Sequence, residues 1–505
     1  MNLEQVLEQK FGFATFRTGQ KEIIEDVING KNVLAMLPTG AGKSLCYQLP
    51  AYLLEGSVLV ISPLLSLMQD QVQQLKARGE KRVVALNSFL PYEQRKQALH
   101  TLDSFRLIYA SPEILQSSEV KQALQRLHIQ LVVIDEAHCI SQWGHEFRTD
   151  YLKLTETIEM CGNPPVLALT ATASIDVQND ILLQLGIQGA TRRIYSVDRP
   201  NIALNVQQVE STEEKLEQMI AITKKFKGPG IVYAATRLSA EQLASVLKQN
   251  GVQASFYHGG MTNEERILVQ QQFVHDQLDV ICATNAFGMG IDKADIRFII
   301  HFQYPPELES YLQEIGRAGR DGSQSVSVLF FSNFDHELPE QLIQQEFPTI
   351  NEIGALLSYM EQPHCYSWHD IQLFADQLGL KEVNQRFLKF QFEKLGVLVE
   401  ERLVENWLKD EILTEIRKKI EKRSMIKQEK LDGMRKFLYT ESCRREQILN
   451  YFEERAGEKP TYCCDRCGFR LNELQIIDKH ETNWAFNGWE DELALIFHQR
   501  GGQQL

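Results

Sequence analysis

Short apolar runs punctuate the first two thirds of the chain: "NVLAML", "SVLVIS", "RLIYA", "LVVID" and "PVLALT", then "GIVYAA", "QASFYH", "DVICAT" and "IRFIIH". Between them lie longer polar stretches patterned as helices. Runs of strand length that alternate with helices predict βαβ units and parallel sheets covered on both faces. Two α/β domains are therefore expected, over residues 1–204 and 205–335, with "SVDRPNIALNVQQ" as the connection. Beyond Asp335 the strand runs stop. "INEIGALLSYM", "HDIQLFADQLGL" and "NQRFLKFQFEKLGVL" carry helical periodicity instead. A mainly helical region is expected over 336–470. Three helices followed by a Gly-led apolar turn make a winged-helix unit the reading for about 348–402. The tail, 471–505, is too short for another sizeable domain.

Composition narrows the class without changing this picture. The 505 residues are 43% hydrophobic and 24% charged, as in ordinary globular proteins. No apolar run approaches the ~18 residues of a membrane span, and the start, "MNLEQVLEQKFGF", lacks the apolar core of a signal peptide. A cytoplasmic protein with no membrane partner is expected. A net charge of −14 argues against coating nucleic acid by bulk attraction. Locally the balance reverses, since Glu411 to Gln447 holds eleven Lys/Arg against seven Asp/Glu. A solvated helix face explains that stretch equally well. Of nine cysteines, four fall between Cys443 and Cys467. In a cytosolic chain such a cluster points to metal rather than disulfides.

Two motifs carry chemistry. "LPTGAGKS" follows a strand run and precedes a helical one. In it Thr39, Gly40, Ala41, Gly42, Lys43 and Ser44 form a nucleotide-binding loop: backbone N–H groups wrap a phosphate, Lys43 reaches the β/γ-phosphates, and the Ser44 hydroxyl holds Mg²⁺. Leu37 stands where the leading glycine of such loops is usual. Asp135 and Glu136 follow the run "LVVI". The first suits Mg²⁺ and the second the attacking water, which a phosphate loop alone cannot activate. In the second domain "QEIGRAGRDG" offers Arg317 and Arg320 to one anion. An arginine from a different domain would stabilise transition-state charge only when the domains close.

Together with "ALTATA" these motifs resemble a superfamily-two helicase motor of two RecA-like domains. "FGFATFRTGQKEII", "AHCISQWGHEFR" and "CATNAFGMGIDKADIRFIIH" resemble the RecQ family of DNA helicases more narrowly. The resemblance implies ATP and Mg²⁺ as cofactors, with Arg17 and Gln20 reading adenine. It places Gly290 and Asp292 in the motif that links nucleotide to DNA, and makes Arg320 the arginine finger with Arg317 its companion. It also implies 3′–5′ movement on single-stranded DNA, unwinding of duplex, and service in repair and recombination. Trp143 and Phe147 in the aromatic loop would stack on unpaired bases, and Arg148 would add a phosphate or cation–π contact. Further expectations are a chromosome-associated monomer and a single-strand DNA-binding protein as a partner.

The metal cluster departs from the family. Its usual Cys-x₂-Cys-x₂-Cys begins here with Thr461, and Cys463 stands beside Cys464 instead. Zn²⁺ held by Cys443, Cys463, Cys464 and Cys467 is expected nonetheless, because four thiolates satisfy a tetrahedral structural site. Two alternatives stay open at this level: a DNA translocase without strand separation, and an RNA helicase. A scaffold with a decayed ATPase is disfavoured by the intact Lys43, Asp135, Glu136 and Arg320.

Overall fold

A computed structural model describes residues 2–87, 92–141, 148–226, 228–287, 293–362 and 364–474. The first lobe contains strands β1 (Val33–Met36), β2 (Ser57–Ile61), β3 (Val83–Leu86), β4 (Leu107–Ala110), β5 (Ile129–Ile134), β6 (Val166–Thr170) and β7 (Thr191–Ile194). They form one parallel sheet in the order β3-β4-β2-β5-β6-β1-β7. Nearly every residue of β1, β2, β4, β5 and β6 is buried, as a sheet covered by helices on both faces requires. Strand β7, "TRRI", alternates between half-buried and exposed. It is an edge strand, and its two arginines hide it from sequence patterning.

The second lobe contains β8 (Ile202–Gln208), β9 (Gly230–Tyr233), β10 (Ala254–Tyr257), β11 (Val280–Ala283), β12 (Phe298–His301) and β13 (Ser325–Phe331). Its sheet is also parallel, in the order β10-β11-β9-β12-β13-β8. Both lobes are the RecA-like α/β domains expected. One boundary moves. The stretch read as a connection contains β8, which pairs along its whole length with β13. Its alternating "LNVQQ" end looks like linker because β8 is the last strand of its sheet and one side faces the C-terminal region.

That region is mainly helical, as expected. Helices Ile350–Met360, Trp368–Gln377 and Glu382–Lys394 share an apolar core with a two-stranded hairpin, Leu398–Val399 against Arg402–Leu403. Thr349 and Ser367 each start a helix with a reciprocal capping box. A long helix, Lys409–Tyr439, runs from this unit back to the motor and buries Leu431, Met434, Phe437 and Leu438. The helix Arg444–Tyr451 and the cysteine loop follow. That loop covers the open edge of β8, where Leu204 N–H donates to Cys463 O at 3.1 Å. Among the described residues no helix is long and apolar enough to cross a membrane.

Candidate active site and metal cluster

The phosphate loop leaves β1 and enters the helix Leu45–Ala51. Gly40 and Gly42 have φ of +87° and +80°, which only glycine adopts without strain. Space dictates glycine as well. A Cβ on Gly42 would lie 2.7 Å from Gln20 Nε2, and one on Gly40 would lie 2.9 Å from Arg320 Cγ. The loop is braced from beneath. Gln20 Nε2 donates to Ala41 O and Gly42 O at 3.0 and 3.1 Å, and Arg17 Nη1 donates to Gly40 O at 2.6 Å. Gln20 Oε1 accepts from the Arg17 N–H at 2.9 Å, so the two residues expected at adenine also hold the loop.

Asp135 and Glu136 end β5 on the same side. Lys43 Nζ lies 3.4 Å from Glu136 Oε1. Glu136 has a φ of +47°. That conformation is unusual for a residue with a Cβ, and such outliers cluster at functional sites. Burial, with Glu136 alongside, pushes the Asp135 carboxyl up to about 6 despite the opposing pull of Lys43. A buried carboxylate whose ionisation is disfavoured in this way is one that a divalent cation would stabilise in its charged form. His138 is wholly buried, with Nδ1 3.0 Å from Thr170 Oγ1 and 3.4 Å from Glu136 Oε2. It ties the "DEAH" loop to "ALTATA" on the neighbouring strand, β6.

The second lobe closes this cleft. Arg317 and Arg320 line the same hollow, of about 350 Å³, as Arg17, Gln20, Thr39, Lys43, Ser44, Asp135 and Glu136. The lobes touch closely, since a Cβ on Gly316 would fall 2.8 Å from Thr39 Cβ. Arg317 is buried against the Tyr233 hydroxyl. A second hollow of about 500 Å³, lined by Pro305, Pro306, Leu338 and Leu342 among others, contains none of the phosphate-site residues.

Of the residues expected at DNA, Arg148 is described and Trp143 and Phe147 lie outside the described residues, as do Gly290 and Asp292. Arg148 Nη1 donates to Pro63 O at 3.1 Å and lies 3.8 Å from Glu113. It therefore joins the chain just before the turn Thr149–Lys153 to the "SPLLSLMQ" stretch after β2.

Sequence reasoning passed over Arg199. Its Nη1 donates to Thr39 O and Gly316 O at 2.8 and 2.9 Å, and its Nη2 to Ala318 O and Gly319 O at 2.9 and 2.8 Å. No spacing marks such a residue, because its partners are backbone carbonyls from two distant loops.

The four C-terminal cysteines converge. The Sγ atoms of Cys443, Cys463, Cys464 and Cys467 all lie within 4.8 Å of one another. Cys443 Sγ is 3.6 Å from Cys463 Sγ and 3.9 Å from Cys464 Sγ. Tetrahedral Zn²⁺ with ~2.3 Å bonds sets sulfurs about 3.8 Å apart, so the donor set fits. The turn is made by an extended Cys464, a 3₁₀ turn Asp465–Cys467 and Gly468 at φ +90°. The Asp465 carboxylate accepts from Nε and Nη2 of the buried Arg444, at 2.6 and 2.9 Å, and so pins the cysteine loop to the helix Arg444–Tyr451.

Comparison with known proteins agrees with this geometry. The DEAD/DEAH box helicase family matches residues 17–181, the helicase conserved C-terminal domain matches 211–322, and the RecQ zinc-binding family matches 402–468. The chain is 46% identical over 500 residues to the probable ATP-dependent DNA helicase RecS of Bacillus subtilis, covering 98% of both chains. This chain belongs to the RecQ helicase family. It is also 42% identical to the ATP-dependent DNA helicase RecQ of B. subtilis over 74% of its own length, spanning 64% of that relative. Among solved structures it shares its fold with the Mycobacterium smegmatis helicase Lhr, at a TM-score of 0.56 and 23% identity over 67% of this chain and 49% of that one.

Proposed function

We propose that the chain is an ATP-driven DNA helicase that moves 3′ to 5′ on a single strand and separates duplex ahead of it. The observation that carries this reading is the single cleft shared by Lys43, Asp135, Glu136, Arg317 and Arg320. Arg17 and Gln20 bound its adenine end. The N–H groups from Gly40 to Ser44 and the Lys43 ammonium hold the phosphates. Ser44 and Asp135 hold Mg²⁺, which supplies charge neutralisation when bound. Glu136 orients the attacking water and takes its proton. Arg320 reaches the γ-phosphate from the second lobe, and Arg317 sets its position. Trp143, Phe147 and Arg148 contact the strand, and Gly290 and Asp292 complete the coupling in the second lobe.

Cys443, Cys463, Cys464 and Cys467 bind one structural Zn²⁺ in this reading, supported by their mutual distances and by the family match over 402–468. The unit over 348–402 serves as a winged helix, supported by its three helices and hairpin. The protein works as a cytoplasmic, chromosome-associated monomer in repair and recombination, alongside a single-strand DNA-binding protein. Strand displacement on 3′-tailed, 5′-tailed and blunt duplexes tests the activity. Unwinding of the 3′-tailed substrate alone is expected, and ATP turnover with no displacement of any substrate would leave a translocase. Metal analysis before and after dialysis against a chelator tests the zinc, with one Zn²⁺ per chain expected.

A further inference from the structure

We infer that Arg199 is a positioning residue for ATP hydrolysis, a latch that holds the two lobes closed over the phosphate site. This rests on the reading of the cleft as an ATPase site. Arg199 lies in the loop between β7 and β8, on the chain segment that joins the lobes. Its guanidinium fork spans the interface. One arm binds Thr39 O beside the phosphate loop, and both arms bind the turn Gly316–Gly319 that carries Arg317. These carbonyls follow the C-terminus of the helix Leu308–Ile315, where the helix dipole concentrates negative potential. A planar cation with several donors suits such a carbonyl cluster better than a point charge. Close approach at this place is already demanded by glycine at 40 and 316, so the latch sits where the lobes are in contact.

The latch is itself anchored. Arg445, from the helix beside the cysteine cluster, pairs with the Asp198 carboxylate and donates to Arg199 O at 3.1 Å and Ile202 O at 2.7 Å. Glu454 accepts from Ser196 Oγ at 2.5 Å and Val197 N at 3.1 Å. Both flanks of Arg199 are thus fixed to the C-terminal region. Asn201 Nδ2 adds bonds to Gly319 O and Ser323 O, each at 2.9 Å. The cysteine-rich module therefore bears on the nucleotide cleft through the loop that carries Arg199. Bonds from Arg199 to both lobes exist only while the cleft is closed. Their loss favours the open form, in which Arg320 cannot reach a phosphate held by the first lobe.

The test compares Arg199→Ala and Arg199→Lys with the wild type and Lys43→Ala, all as full-length, zinc-loaded protein. Steady-state turnover with single-stranded DNA is measured beside titration with a fluorescent ATP analogue and thermal melting. Arg199→Ala is expected to lower kcat about tenfold or more, with nucleotide affinity kept within about threefold. Arg199→Lys should recover part of kcat, since an ammonium serves fewer carbonyls at once. A kcat for Arg199→Ala within about twofold of wild type would overturn the inference, as would a loss confined to nucleotide affinity. Should the alanine variant fail to fold, the lysine variant decides, because full wild-type kcat there excludes a need for the fork. Absence of turnover in the wild type, or equal turnover in Lys43→Ala, would refute the ATPase reading rather than the latch.

Discussion

The two lobes are built to one plan and do opposite things with it. Their chain orders map strand for strand: β1 to β6 stand in the first sheet as β8 to β13 stand in the second, with β7 added at one edge. In both, the strand that ends the matched six, β1 in the first lobe and β8 in the second, leads into a helix. After β1 comes "LPTGAGKS", with two glycines at positive φ and no capping bond from the Ser44 side chain. After β8 comes "VESTEE", in which the Ser211 side chain accepts from Glu214 N and two glutamates fill the first turn. A helix N-terminus attracts anions. The first lobe leaves that end to a ligand, and the second satisfies it with its own hydroxyl and carboxylates. Topology thus places two equivalent openings, and a few side chains decide which binds phosphate. The second lobe's contribution comes from elsewhere, the turn bearing Arg317 and Arg320.

The sharpest way to break this asymmetry is Lys43→Ala. It should lower ATP turnover by about three orders of magnitude or more and weaken nucleotide binding, read by steady-state hydrolysis and titration. Arg320→Ala comes next, with a loss in kcat of about a hundredfold and ATP affinity held within a few-fold, because the second lobe acts in the transition state. Parallel losses in affinity and rate would make Arg320 a ground-state ligand instead.

Asp135→Asn tests the strain stored in the first lobe. The folded chain holds the Asp135 proton up to about pH 6, more tightly than an unfolded chain does. Its ionised form therefore costs stability, and that cost grows as pH rises from the ordinary carboxylate range to about 6 and persists above it. Asn removes the charge. Measured without nucleotide or Mg²⁺ at neutral pH, the variant should melt about 1–4 °C higher than wild type, while turnover collapses. A lower melting temperature would show that Asp135 is stabilising in the unliganded protein. The smallest effect belongs to Ser211→Ala, which removes the cap in the second lobe. It should cost about 1 kcal/mol in denaturant unfolding and leave ATP turnover unchanged.

How much of this was legible beforehand follows from where each feature draws its partners. "LPTGAGKS" and "DEAH" are readable because strand, turn and helix lie within a few residues of one another, so sequence order is spatial order. The single-sheet core of each lobe is readable because a strand buried on both faces is apolar throughout. Strand β7 escaped because an edge needs no such burial, and β8 because its mixed end faces the cysteine loop rather than a helix. Thr461 looked like a broken metal site in the sequence. The tight turn at Asp465–Cys467 nonetheless brings Cys463 and Cys464 beside Cys443.

By itself, then, the sequence determined the two parallel sheets, the phosphate loop, the paired carboxylates, the arginine pair and the cysteine cluster. Each depends on residue type at short separation, which local backbone geometry enforces. Only the tertiary structure decided that Arg317 and Arg320 share a cleft with Lys43, and that the helix Arg444–Tyr451 grips the segment between the lobes. It alone gave Arg199 its role. An arginine whose hydrogen bonds run to four backbone carbonyls leaves no pattern of residue types in the sequence, and only the packing of two lobes brings those carbonyls together.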